Sequence, residues 1–197
     1  MLEFLPTILV VNQLLLAIIS ERWPSKKVMV ILSSIMVLGC FYLISFVLQN
    51  PWLLNMKTIL WLVVGAAQIF YVFFALFGGK ELWKISIITQ PLLFPFTVLA
   101  AYVPVSGAHT GVVVETFWLQ GHIISATIAY GILTMAGLFA FAIVTRQAYL
   151  KARATSSFVE KLPSLEILER AQTAALWFGL ISLFVAIIAG SVVTYDS

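Results

Sequence analysis

The composition of this 197-residue chain excludes an ordinary soluble domain, because 62% of its residues are hydrophobic and only 10% are charged. An average soluble domain carries about 25% charged residues, and so few charges cannot cover a surface that faces water. The net charge of +3 is spread over short polar segments between apolar runs. We interpret it as a signal for membrane orientation and expect no nucleic-acid partner. The single cysteine, Cys40, excludes a disulfide, a paired-cysteine zinc site and covalent C-x-x-C-H haem attachment within the chain.

The lengths of the apolar runs predict six transmembrane helices, because a helix needs about 20 residues to cross roughly 30 Å of hydrocarbon. The predicted helices cover about residues 4–20, 28–48, 58–77, 83–103, 115–154 and 164–193. The first run follows Glu3 instead of a basic segment and has no small-residue cleavage site, so we expect a retained helix and not a signal peptide. The sequence therefore predicts one all-α, polytopic membrane domain over residues 1–197, embedded in the lipid bilayer.

The basic residues predict the orientation of this bundle. When the connections are assigned alternately to two sides, Lys57 is alone on one side and ten of the eleven basic residues share the other. Those ten are Arg22, Lys26, Lys27, Lys80, Lys84, Arg146, Lys151, Arg153, Lys161 and Arg170. The positive-inside rule assigns their side to the cytoplasm. Both chain termini and the segment that contains His109 are then extracytoplasmic.

Polar residues within the spans are the first candidates for function, since polar groups are costly at bilayer depth. Gln68 lies in the middle of the third predicted helix, where we expect it to form an interhelical hydrogen bond. Pro91 and Pro95 in the fourth helix are expected to kink it. Such a kink can shape a cavity, although proline is also common in membrane helices without that role.

The fifth helix carries the most informative residue of the chain, His122, about 10 Å below the outer interface. Trp118 lies one turn above it on the same face. Gly121, Ser125 and Ala129 form a stripe of small residues that lets another helix or a flat ligand approach. A neutral imidazole here can bind a metal or a haem iron through one nitrogen while the other donates a hydrogen bond. The alternative is a histidine that only bonds a neighbouring helix and holds the bundle together.

The connection before the sixth helix has the pattern of a helix start. Pro163 ends any preceding helix and Ser164 is a favourable N-cap. Glu166 lies in the first turn and is spaced to pair with Arg170. This pattern is structural, and the sequence shows neither a glycine-rich phosphate loop nor a Ser/His/Asp set. We therefore expect that the protein is not an enzyme.

Two of these motifs resemble those of a known family. The run from Trp118 to His122, followed by Tyr130, and the segment 162–170, of the form L-P-x-L-E-x-L-E-R, resemble the cytochrome c assembly membrane proteins. This is the haem-handling group of CcmC, CcsA and HemX type, and the chain is most similar to HemX-like and YpjD-like members. Its tryptophan-rich external motif is absent here. Members of the latter type continue for two further helices with a second histidine, so we expect that this chain corresponds to the family core without its last two helices.

The resemblance implies a haem-binding or haem-handling protein of the bacterial inner membrane that acts in cytochrome complex biogenesis. It implies non-covalent b-type haem, with His122 as an axial ligand, Trp118 and Tyr130 beside the cofactor, and helices four to six around it. His109 is a weak candidate for the second iron ligand. The competing hypothesis is a haem-free accessory or assembly subunit of a larger membrane complex. Both hypotheses imply membrane protein partners.

Overall fold

The computed structural model describes residues 4–22, 25–47, 53–54, 56–104, 112–113, 117–153 and 157–195, and nearly all of them are helical. The helices are α1 (Leu5–Arg22), α2 (Lys26–Val47), α3 (Met56–Phe77), α4 (Ser86–Tyr102), α5 (Phe117–Lys151), α6 (Ser157–Glu160) and α7 (Leu165–Tyr195). All except the single-turn α6 are long and apolar enough to cross a membrane; the fourth span begins at Leu82, in a 3-10 turn before α4. The prediction of an all-α, multi-pass membrane protein with six spanning helices is confirmed.

The helix lengths agree with the expected spans. α5 has 35 residues, about 52 Å at 1.5 Å per residue, and so extends well beyond a hydrocarbon core of about 30 Å. A short antiparallel pairing joins β1 (Leu53–Leu54) to β2 (Val112–Val113). Because β1 connects α2 to α3 and β2 connects α4 to α5, this pairing places both connections at the same end of the molecule, as alternating spans require.

Helices α1 to α4 form a ring in which each packs against two neighbours: α1 contacts α2 and α4, and α3 contacts the same two helices. α5 packs on the outside of α3, and α7 packs mainly along α5. The close approach of α3 and α5 depends on Gly131, because a Cβ atom there would lie 2.9 Å from the Cβ of Ala66. The protein is thus a four-helix bundle with a peripheral helix pair.

A cluster of amide side chains fills the centre of the four-helix bundle. Gln13 of α1, Gln68 of α3 and Gln90 of α4 are all fully buried. Gln68 donates to the side-chain oxygens of Gln13 (2.8 Å) and Gln90 (2.9 Å). Gln13 donates to the side-chain oxygen (3.0 Å) and the main-chain oxygen (2.9 Å) of Gln90, and Gln90 reaches Ser33 of α2 at 3.4 Å. The expected interhelical bond of Gln68 is confirmed, and it belongs to a network that joins all four helices.

The other end of the molecule, opposite the β1–β2 pairing, is tied together by basic side chains. Arg146 of α5 donates to the carbonyl oxygens of Leu162 and Pro163, each at 2.6 Å. The side chain of Leu162 is buried in the main hydrophobic core. The predicted pair of Glu166 and Arg170 forms at 2.6 Å on the exposed surface. The segment before α7 therefore packs against this end of the bundle and is held there by the hydrogen bonds from Arg146.

Candidate cofactor site at His122

His122 lies in the second turn of α5, and its imidazole points to α7. Its Nδ1 is 2.8 Å from the carbonyl oxygen of Ala186. A carbonyl oxygen can only accept, so Nδ1 carries the hydrogen and Nε2 of the neutral ring keeps its lone pair. Among the described residues, Nε2 has no hydrogen-bond partner. The ring is half-buried. The contact with Ala186 thus favours the tautomer of the neutral ring in which Nε2 could bind a ligand.

The surface of α7 opposite His122 is shaped by a glycine. A Cβ atom at Gly190 would lie 2.8 Å from Nδ1 of His122 and 3.0 Å from its Cε1. Gly190 is one helical turn beyond Ala186, so the ring occupies the space beside one turn of α7. Only a residue without a side chain leaves that space open. The orientation of the imidazole is thus set by one backbone carbonyl and one missing Cβ.

The structure places the other predicted site residues at different distances from His122. Trp118 is one turn nearer the start of α5, with 45% of its surface exposed. Its indole makes an edge contact with Phe117, with ring centroids 5.9 Å apart. Tyr130 is eight residues beyond His122, about 12 Å along the helix, and 58% exposed. His109 lies outside the described residues.

The expected role of helix four in the site is not seen in the part of the chain that the structure describes. α4 packs mainly against α1 and α3, because Gln90 holds it in the amide cluster. The hydrogen-bonding partner of His122 comes from α7 instead. The described residues also contain no group of three or more His, Cys, Asp or Glu side chains that could hold a metal ion. His122 is also the only histidine among the described residues, so they offer no second histidine as an iron ligand.

A cavity of about 240 Å³ opens between α2, α3 and α5 in the same half of the bundle, but it does not include His122. Its α5 residues are Ile123, Ile124, Thr127 and Ile128. At about 100° per residue these lie about 100° to 240° around the helix from His122. The cavity thus faces away from α7, and a group bound to Nε2 would occupy a different surface of α5.

The donor set fits haem in part. Nε2 could ligate a metal ion, because metal-binding histidines usually give their other N–H to a carbonyl or carboxylate, and His122 donates in this way to Ala186. The ring is half-buried, and none of the cavities found among the described residues is lined by it. Among the described residues, His122 is the one histidine that could serve as an axial ligand.

No protein-family model, curated protein or solved structure matches this chain.

Sequence reasoning singled out His122 as a candidate but did not predict its neighbours on α7. The acceptor is a main-chain oxygen, which leaves no mark in the sequence. Gly190, one of 11 glycines, gives a signal only once α5 and α7 are known to be neighbours.

Proposed function

We propose that this membrane protein binds haem through Nε2 of His122 and handles it in the assembly of a cytochrome complex. The observation that carries the proposal is the hydrogen bond from Nδ1 of His122 to the carbonyl of Ala186. It fixes the tautomer in which Nε2 is the ligating atom and raises the basicity of that nitrogen. The resemblance of the two sequence motifs to cytochrome c assembly proteins supports haem over a bare metal ion.

Each residue has a distinct part in this proposal. His122 ligates, the carbonyl of Ala186 orients its ring, and Gly190 leaves the space that the ring needs. The exposed indole of Trp118, one turn away, flanks the cofactor. Tyr130 is farther along α5 and is the less direct contact. Haem bound here is b-type and non-covalent, and the protein holds it without turnover, so the proposal remains that the chain is not an enzyme.

A second candidate function rests on the same hydrogen bond. The ring of His122 fills the gap beside Gly190 and joins α5 to α7, which is a sufficient structural role without a cofactor. The chain would then be a haem-free accessory or assembly subunit of a larger membrane complex. In both cases its partners are membrane proteins.

The test is an absorption spectrum of the full chain purified from haem-replete cells, compared with that of four variants. We expect a Soret band in the wild type and in His109→Ala, and none in His122→Ala or His122→Gln. Glutamine can still donate to the carbonyl of Ala186, so His122→Gln keeps the α5–α7 contact but loses the ligand. Added imidazole should restore the band to His122→Gly.

The two functions predict different results for these variants. A wild-type protein without a Soret band would refute the haem proposal. A melting temperature that is lower in His122→Ala but unchanged in His122→Gln would then favour the accessory role. A band that survives in His122→Ala would show that another residue ligates the iron. Loss of the band in His109→Ala would add that residue as the second ligand.

We also propose that the protein lies in a bacterial inner membrane with its basic end in the cytoplasm. The support is that ten of its eleven Lys and Arg residues lie at the end opposite the β1–β2 pairing. Single cysteines at Lys57 and Lys80 test this in intact cells. The native Cys40 is buried and should not react. A membrane-impermeant maleimide should therefore label Lys57→Cys and leave Lys80→Cys unlabelled. The reverse labelling would overturn the orientation.

A further inference from the structure

A basic corner lies where α1 ends, α2 begins and the α6–α7 connection meets them. Its four cations are Arg22, Lys26, Lys27 and Lys161. The ammonium group of Lys161 donates to the main-chain oxygen of Glu21 at 2.7 Å, a contact between residues 140 positions apart. This bond brings the connection before α7 against the end of α1, so charges from two distant parts of the sequence share one surface.

The positive charge of this corner is only partly neutralised. The two salt bridges found among the described residues, Lys84 with Glu81 and Arg170 with Glu166, lie elsewhere at this end. The carboxylates of Glu21 and Glu160 are neighbours in sequence to the corner, but neither forms an ion pair with its cations in the part of the chain that the structure describes. Four cations against two carboxylates leave a formal charge of +2. Such a surface attracts an anion.

The corner lies at the boundary of two candidate spans, where lipid headgroups are expected, with an apolar surface beside it. Arg22 is the last residue of α1 and Lys26 the first of α2, so their charges are at the boundary of the spans. One turn into the membrane from Arg22 lies Ile18, 40% exposed, and one turn in from Lys27 lies Ile31, 59% exposed. Cations directly above an exposed apolar surface match an amphiphile better than a soluble anion.

We propose that this basic corner binds the headgroup of an anionic phospholipid in the leaflet at the basic end of the bundle. The phosphate lies among Arg22, Lys26, Lys27 and Lys161, and the acyl chains lie along Ile18 and Ile31. Each Lys or Arg near an anionic membrane surface contributes a favourable interaction. A bound lipid of this kind bridges the α1–α2 hairpin and the segment that precedes α7, and it does so independently of haem.

The test measures lipid retention by native mass spectrometry on the full chain in a neutral detergent. Phosphatidylglycerol is titrated against the wild type, a triple variant (R22Q, K26Q and K27Q) and a control (K80Q, K151Q and R153Q). The control removes three exposed cations from the same end of the molecule. We expect phosphatidylglycerol to bind the triple variant at least about tenfold more weakly, by the scale of such contacts, and the control as it binds the wild type.

Three results would overturn the proposal. Equal losses in both variants would show that only the overall charge matters, and equal retention of phosphatidylcholine would show no preference for an anionic headgroup. Displacement of the lipid by millimolar inorganic phosphate would assign the corner to a soluble anion. If the triple variant does not fold, judged by circular dichroism, the exposed single variant Lys27→Gln takes its place and should bind measurably more weakly than Lys80→Gln.

Discussion

Replacement of Gln68 by leucine tests whether the amide cluster stabilises the four-helix bundle. Gln68 is fully buried and donates at 2.8 Å to Gln13 and at 2.9 Å to Gln90. Leucine removes both of these bonds and also the long bond of 3.5 Å that Gln68 accepts from Gln90. It leaves the side-chain oxygen of Gln13 without the donor that it has in the described structure. The side-chain oxygen of Gln90 keeps the bond from Gln13. One buried acceptor, the side-chain oxygen of Gln13, is therefore left without a hydrogen-bond donor.

The magnitude follows from the two bonds. Interhelical hydrogen bonds in membrane proteins contribute about 0.6 kcal/mol on average and at most about 1.7 kcal/mol. Two of them correspond to about 1 to 3 kcal/mol, which shifts the unfolding equilibrium constant about five- to 150-fold. Leucine is apolar and suits the membrane interior, so we expect the loss of unfolding free energy to lie in the lower half of this range.

The assay is reversible unfolding of the full chain in mixed micelles with increasing dodecyl sulfate, followed by circular dichroism. Gln147→Leu is the matched control, because Gln147 is exposed on α5 and its side chain forms no hydrogen bond within the described part of the chain. Gln68→Leu should lower the free energy of unfolding, and Gln147→Leu should leave it within about 0.5 kcal/mol. A Gln68→Leu protein as stable as the wild type, or equal losses in the two variants, would refute the idea that the cluster stabilises the bundle.

Two further substitutions probe the α5–α7 pair. Gly190→Ala places a Cβ atom 2.8 Å from the ring of His122, so it should displace the imidazole, weaken the Soret band and destabilise the protein by about 1–3 kcal/mol. In the control Gly137→Ala the new Cβ atom meets nothing within 4 Å, so the Soret band and the stability should stay unchanged. Equal spectra of the two variants would count against the site. Arg146→Ala removes the donor to two carbonyls at 2.6 Å and should cost about 1.5–3 kcal/mol in thermal or denaturant unfolding. Arg170→Ala breaks only an exposed i,i+4 pair, worth at most about 0.5 kcal/mol; a loss as large as that of Arg146→Ala would contradict this account.

The sequence predicts the spans well, because apolar run length is a direct physical requirement of the bilayer. It also predicts contacts that are local or unavoidable. The Glu166–Arg170 pair follows from i,i+4 spacing, and the need of Gln68 for a partner follows from its depth.

The sequence does not predict which helices are neighbours. A soluble helix shows its buried face by an apolar stripe, but these helices are apolar on nearly all sides, so that signal is missing. The pairing of α1 with α4 depends on Gln13 and Gln90, which are 77 positions apart. Each of them looks in the sequence like an isolated polar residue. The same difficulty hides Ala186 and Gly190 as partners of His122.

The placement of the polar groups separates stability from cofactor binding. The amide cluster joins the four helices α1, α2, α3 and α4 to one another. His122 lies between α5 and α7, outside this four-helix bundle. Mutations more than about 10 Å apart with no shared partner usually act independently. Gln68→Leu should therefore lower the stability of the bundle while the folded fraction keeps the spectrum of the wild type. His122→Gln should remove the spectrum with little loss of stability. If each variant changed both quantities to the same degree, α5 and α7 would be part of one cooperative unit with the bundle, and the spectrum could not be assigned to His122 by mutation alone.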